Sequence, residues 1–188
     1  MHLEFLLEEA SMEAALLELV PKIRPDVSFD LHPYRGKPDL LGKLPGRLRG
    51  YRHWNQDDLR VVVVLDRDQD DCVELKQRLL SISAAAGMPA LYRIAIEELE
   101  AWLLGDIAAL RTAYPRVPAS LHAQQGLRDP DAIRGTWEAL DRVLRRAGYY
   151  SSGMPKVEVA TRVAESMDPD VNISASFCAF RDGLRALT

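Results

Sequence analysis

Arg60-Val61-Val62-Val63-Val64-Leu65-Asp66-Arg67-Asp68-Gln69-Asp70-Asp71 decides how the rest of the chain is read. Four consecutive β-branched residues and a leucine leave no polar face, the pattern of a strand at the centre of a parallel sheet, buried on both sides. The run ends in four carboxylates within six residues. Open α/β sheets bind ligands beyond the carboxyl ends of their strands, so this cluster falls where such a fold places its chemistry. Asp66 and Asp68 are two apart; while the strand persists they share a face, and clustered carboxylates suit a hard divalent cation. A calcium loop opening at Asp66 would need glycine at its sixth position and glutamate at its twelfth, where the chain has Asp71 and Gln77, so that reading is excluded. Asp70 and Asp71 read more simply as cap and charge for the next helix.

Working outward, Leu3 to Leu7 is a short apolar run ending in Glu8 and Glu9, and Met12, Ala15, Leu16, Leu19, Val20 and Ile23 then recur at helical spacing, with Ser11 as N-cap. Val27 to Leu31 alternates, which predicts a second strand nearer an edge. Residues 39–49 read as a short helix broken by Pro45 and Gly46, with 51–58 a connecting segment. After the acidic cluster, Cys72, Leu75, Leu79 and Ile82 share a helix face that ends near Gly87. Ala90 to Ile96 is a fourth strand, and it too ends in acids. Glu97 and Glu100 are three apart, a spacing that puts both on one helix face, while Leu99, Trp102 and Leu103 mark a buried stripe.

Beyond Gly105 the pattern is helical. Asp129-Pro130 is a start signal for a helix through Ile133, Trp137, Leu140 and Leu144 to Gly148; another runs from Lys156 to about Met167, and a last one begins near Ser174 or Ser176. Together these predict one α/β domain over residues 1–188: a mostly parallel, Rossmann-like four-stranded sheet flanked by helices in 1–105, and a helical extension in 106–188.

At 188 residues and 47% hydrophobic, the chain can bury one substantial core. The absence of an apolar run of membrane-spanning length, and of a basic leader in Met1-His2-Leu3-Glu4, predicts a cytoplasmic protein. Cys72 and Cys178 make no disulfide framework or zinc motif, and the four scattered histidines form no His-x-x-x-His pair. A net charge of −4 gives no global case for binding nucleic acid. A local case exists: Lys43, Arg47, Arg49 and Arg52 are interleaved with Tyr51 and Trp54, cations for phosphates and rings for bases, and Lys37 precedes them.

With the first and third strands adjacent, Glu8 meets Asp66 and Asp68 at the sheet rim. Such carboxylates hold one or two Mg²⁺ or Mn²⁺ ions for attack on a phosphoester, and without a cation they repel one another.

The glutamate in Leu7-Glu8-Glu9-Ala10-Ser11-Met12-Glu13 and the Asp-x-Asp of Leu65-Asp66-Arg67-Asp68 resemble the Toprim signature of topoisomerases, primases and overcoming-lysogenization-defect-type nucleases. More closely, these runs, with His32-Pro33-x-x-Gly36-Lys37-x-Asp39-Leu40-Leu41, Arg93 to Trp102 and Tyr114 to Pro118, resemble the Toprim-related family called domain of unknown function 4276, over nearly the whole chain. The resemblance implies a Mg²⁺- or Mn²⁺-dependent nuclease acting on DNA or RNA, of a kind encoded beside ATPases in bacterial defence-like gene sets, with an ATPase as partner. It makes Glu8 a metal ligand or general base, Asp66 and Asp68 metal ligands, Glu97 and Glu100 a second metal site, and Lys156 a cation for the scissile phosphate. Glu9 stands where the Toprim motif has glycine, which leaves Glu8, Glu9 and Glu13 as candidates for the operative acid, Glu8 favoured because it leaves the strand directly. Two other readings stay open: a non-catalytic partner subunit of an ATPase that keeps the acids as a metal-stabilised scaffold, and a haloacid-dehalogenase-like phosphatase. The latter normally carries its Asp-x-Asp on the first strand and follows it with x-Thr, whereas here the motif is on the third and continues Gln69-Asp70.

Overall fold

The computed structural model describes residues 1–54, 58–124 and 127–188, apart from the His122 side chain. Strands β1 (His2–Leu7), β2 (Ser28–Pro33), β3 (Leu59–Asp66) and β4 (Ala90–Ala95) form one parallel sheet in the order β2-β1-β3-β4. Helices α1 (Ala10–Ile23), α2 (Lys37–Arg52) and α3 (Cys72–Ala86) are the crossovers, as parallel neighbours require. The chain then continues through α4 (Glu100–Leu104), α5 (Ile107–Ala113), α6 (Thr136–Arg146), α7 (Lys156–Ala164) and α8 (Ala175–Arg185). This is a Rossmann-like α/β fold with a largely helical C-terminal region. Strand order reverses between β1 and β3, so the switch point lies where their carboxyl ends emerge.

Strand alternation divides the core into two layers. Val62 and Val64 join Leu3, Phe5 and Leu7 against α1 and the C-terminal helices, whereas Val61, Val63 and Leu65 join Leu6 against α2 and α3. Both faces of β3 are therefore covered, as its unbroken apolar run predicts, and β2 is the half-exposed edge that its alternation predicts. Asp71 caps α3, accepting from the backbone N–H groups of Val73 and Glu74 at 2.9 and 3.0 Å, and Gly87 ends that helix in the left-handed region at φ 66°. Ser174 caps α8 through the Phe177 N–H.

Three boundaries differ from the sequence expectation. Helix α2 does not break at Pro45 and Gly46 but runs unbroken for 16 residues. A proline inside a helix costs about 3 kcal/mol. Burying Leu40, Leu44, Leu48 and Tyr51 along one face at roughly 1.5–3 kcal/mol each outweighs it. Ser11 is not the N-cap of α1; the helix starts directly off the strand at Ala10, and the Ser11 hydroxyl donates to the Glu9 carboxylate from inside the first turn. Asp129 and Pro130 start a 3₁₀ turn, Pro130–Ala132, and α6 begins only at Thr136, where the Glu98 carboxylate accepts from Thr136 Oγ1 (3.0 Å) and Trp137 N (2.8 Å). That cap comes from a distant segment, so no local motif announces it.

The C-terminal helices lock onto the sheet around Trp102, which is fully buried, stacks on Phe180 at 4.9 Å and donates its indole N–H to Ser176 Oγ at 2.9 Å. Among the described residues, no helix is long and apolar enough to cross a membrane. Beside Trp102, Gly105 leaves room for buried Asn172, which donates to the Trp102 carbonyl at 2.8 Å and accepts from Ser174 N at 2.9 Å. A methyl group on Gly105 would overlap the Asn172 amide. Gly105→Ala is therefore expected to cost about 1–3 kcal/mol in urea unfolding, the range for overpacking and a disrupted buried hydrogen bond; wild-type stability would show that Asn172 moves aside freely.

Candidate functional site

The switch point brings together acids from three segments. Glu8 leaves β1 with its backbone N–H on the Val64 carbonyl (3.1 Å), and its Oε2 accepts the backbone N–H of Asp66 at 3.0 Å, so the two strand ends are joined through this side chain. Glu8, Asp66 and Glu100 are all buried, at 8, 4 and 1% exposure. Asp66 Oδ1 and Glu100 Oε2 have no hydrogen-bond partner. Lys156, at the start of α7, reaches Glu9 at 3.4 Å and Glu100 at 3.9 Å. Acids from the ends of β1 and β3 and from α4 thus share one buried locale, with the Lys156 ammonium at its edge.

Asp68 is placed differently from its two-residue spacing. The strand ends at Asp66, and Asp68 adopts a left-handed conformation, φ 52°, so the face shared by alternate strand residues is lost. Its carboxylate pairs with Lys37 at 2.7 Å; Lys37 also holds Asp70 at 2.8 Å and the Arg67 carbonyl at 3.0 Å. Nor do Glu97 and Glu100 share a helix face: Glu97 precedes the helix at φ 55° and pairs with Arg67, while Glu100 is the first residue of α4 and points among the buried acids. Asp68 and Glu97 instead line a separate cleft of about 610 Å³ with Arg134.

The predicted basic stretch does not form one surface. At about 100° per residue, Lys43 and Arg47 lie on roughly the opposite side of α2 from Arg49 and Arg52. Lys43 pairs with Asp39 at 2.7 Å, Arg47 donates to the Tyr34 hydroxyl, and Arg52 lies over Gly87. Tyr51 is buried, so it presents no ring to a base, and Trp54 is half exposed. Lys37, read from sequence with this stretch, is instead the counter-ion of the acidic rim. That role is invisible locally, because its partners lie some thirty residues away.

Burial sets the charge state of the site. It pushes the Glu8 carboxyl up, an effect only partly offset by the Asp66 N–H and Lys37. It pushes Asp66 well above the usual carboxylate range, and Glu8, Glu100, Glu9 and Asp68 push further by like charge. Glu100 is raised by burial to about 7, despite the pull of Lys156. Burial also opposes the charge on Lys156, but Glu100, Glu9 and Asp66 outweigh it and raise that pKa.

The donor set is all hard oxygen, and the two orphaned oxygens are the sort of acceptors that Mg²⁺ or Mn²⁺ satisfies, so the residues fit such an ion. The rim is not drawn in to ligating distance, however. Among the described residues, the grouping of three potential ligands whose atoms all lie within 4.8 Å of one another is His2, Glu4 and Asp30, at the other end of β1. Asp68 is turned away by the hydrogen bond from its backbone N–H to the Glu97 carbonyl at 2.9 Å and by its pairing with Lys37.

Fold and site define a Rossmann-like α/β protein with a buried carboxylate cluster at its switch point. The chain belongs to the family described as a domain of unknown function, DUF4276, whose model matches residues 7–185. No curated protein and no solved structure matches it.

The raised carboxyls have a stability signature. In the folded state Glu100 keeps its proton up to about pH 7, so its contribution is fully present below the unfolded value and is lost as pH rises through 7. The loss is up to about 3 kcal/mol for a shift of this size. Metal-free protein is expected to weaken between pH 5 and pH 8, and Glu100→Gln to flatten that slope, making the variant more stable at pH 8 in thermal unfolding with chelator. An unchanged slope would mean that Glu100 is not the strained group.

Proposed function

We propose that the chain is a Mg²⁺- or Mn²⁺-dependent phosphodiesterase of nuclease type, related to the Toprim nucleases. The observation that carries this reading is the convergence of Glu8, Asp66 and Glu100 at the switch point, with two deeply buried carboxylate oxygens unpartnered. Carboxylate oxygens that only stabilise a fold are paired or solvated, and Asp66 Oδ1 and Glu100 Oε2 are neither.

In this reading Asp66 and Glu100 hold the ion through those oxygens. When bound, Mg²⁺ or Mn²⁺ polarises the phosphoryl oxygen and lowers the pKa of a water. Glu8, anchored by the Asp66 N–H and raised by burial, takes the proton from the attacking water at its carboxylate. Lys156, partly exposed and kept charged by its acidic neighbours, binds the scissile phosphate. Arg134, exposed on the cleft with Asp68 and Glu97, supplies a further phosphate contact. The substrate is DNA or RNA.

A second reading has its own support. Lys37 pairs with Asp68 and Asp70, so these two acids are satisfied within the protein, which suits a non-catalytic partner subunit of an ATPase that keeps the fold and not the reaction.

Hydrolysis of single-stranded DNA, duplex DNA and RNA, assayed with Mg²⁺ and with Mn²⁺, separates the two. Asp66→Asn and Glu8→Gln are each expected to lower the rate at least about 100-fold, the lower range for loss of a group acting in the transition state. Lys156→Met should chiefly weaken substrate binding. Cleavage that survives Asp66→Asn would overturn the nuclease reading. A metal-induced rise in Tm that depends on Asp66, without turnover on any substrate, would favour the partner subunit.

A further inference from the structure

The parallel register of β1 and β2 places a second set of ligand-type side chains far from the acidic rim. His2 and Glu4 are alternate residues on one side of β1; on β2, Ser28 pairs with His2 and Asp30 with Glu4. His2 Nε2 lies 3.3 Å from Glu4 Oε1 and 3.5 Å from Asp30 Oδ2, and each of the three residues offers a ligand atom within 4.8 Å of those of the other two. We propose that His2, Glu4 and Asp30 bind one divalent transition-metal ion, with Zn²⁺ the best fit.

Tetrahedral Zn²⁺ with bonds of about 2.0–2.2 Å sets its ligand atoms about 3.3–3.5 Å apart. Two of the three edges already have that length. One imidazole nitrogen with two carboxylates suits Zn²⁺ better than Mg²⁺, which prefers an all-oxygen octahedron. The surroundings have the form of an outer ligand shell. The second ring nitrogen of His2 is hydrogen-bonded to Ser28 Oγ at 2.9 Å, which orients the ring. The second oxygen of Glu4 accepts from the Tyr51 hydroxyl at 2.9 Å and meets His32 Nε2. Glu4 is thereby fixed while almost wholly buried, and Asp30 is largely exposed, which leaves the fourth position to solvent.

An ion-pair network alone explains the arrangement less well. A ring nitrogen carries at most one proton, yet His2 Nε2 faces two carboxylate oxygens at similar distances. A divalent ion matches the two negative charges of Glu4 and Asp30. Glu4 stands four residues before Glu8, about 13 Å along an extended strand, so the ion is distinct from any at the rim. Its role is to fasten the edge strand β2 to β1 and, through Tyr51, to α2.

The test uses the full chain, stripped with chelator and titrated with ZnCl₂ by calorimetry and with Co²⁺ by visible absorption. The expected result is one equivalent bound, tetrahedral Co²⁺ bands, and a rise in Tm of several degrees. Asp30→Asn changes an exposed side chain and so preserves the fold; it should weaken Zn²⁺ at least about 10-fold, and Tyr51→Phe should weaken it about as much through the outer shell. Asp66→Asn should leave Zn²⁺ uptake unchanged. The proposal is overturned by no uptake, by equal affinity in Asp30→Asn, or by uptake that disappears in Asp66→Asn, which would assign the ion to the rim.

Discussion

One hydrogen bond organises the acidic end of this molecule: the backbone N–H of Asp66 donated to Glu8 Oε2 across the β1–β3 pair. It exists only because the strand order places β1 beside β3, and that order in turn needs β3 to be apolar on both faces. A polar residue in Val61 to Leu65 would be buried without a partner in one or other core layer. The same bond holds a carboxylate where burial and neighbouring acids all oppose its charge. The sheet, not the site, supplies the energy that tolerates this.

Backbone strain gathers at the same rim. Asp68 and Glu97 are two of the three non-glycine residues with positive φ among those described, and each such conformation costs on the order of 1 kcal/mol or more. They are held by hydrogen bonds between the ends of β3 and β4, from Arg67 N to the Ala95 carbonyl and from Asp68 N to the Glu97 carbonyl. The strain separates the acids into two groups: Glu8, Asp66 and Glu100 buried together, Asp68 and Glu97 facing a cleft.

What was legible in the sequence follows the range of the forces involved. The continuous apolar run of β3, the alternation of β2, the Asp71 cap and the Gly87 stop are local patterns, and the three elements they mark are present, β2 displaced slightly from its alternating stretch to Ser28–Pro33. Adjacency of Glu8 and Asp66 was legible too, since strand order at a switch point follows from topology. The turn of Asp68 toward Lys37 was not, because a left-handed aspartate is imposed by bonds from another strand. The passage of α2 through Pro45 was hidden for a related reason: propensity is read from a residue and its neighbours, whereas the compensating burial comes from the sheet beneath. The scattered histidines looked inert because His2-x-Glu4 and Asp30-x-His32 acquire meaning only when two parallel strands are set in register.

Lys37 has a consequence of its own. Its ammonium is tethered at the mouth of α2 and occupies Asp68 and Asp70 as a built-in stand-in for an inorganic cation. Because a single ammonium serves both carboxylates, removing it would leave Asp68 and Asp70 uncompensated together, so the turn that leaves β3 leans on a side chain borrowed from the preceding crossover helix.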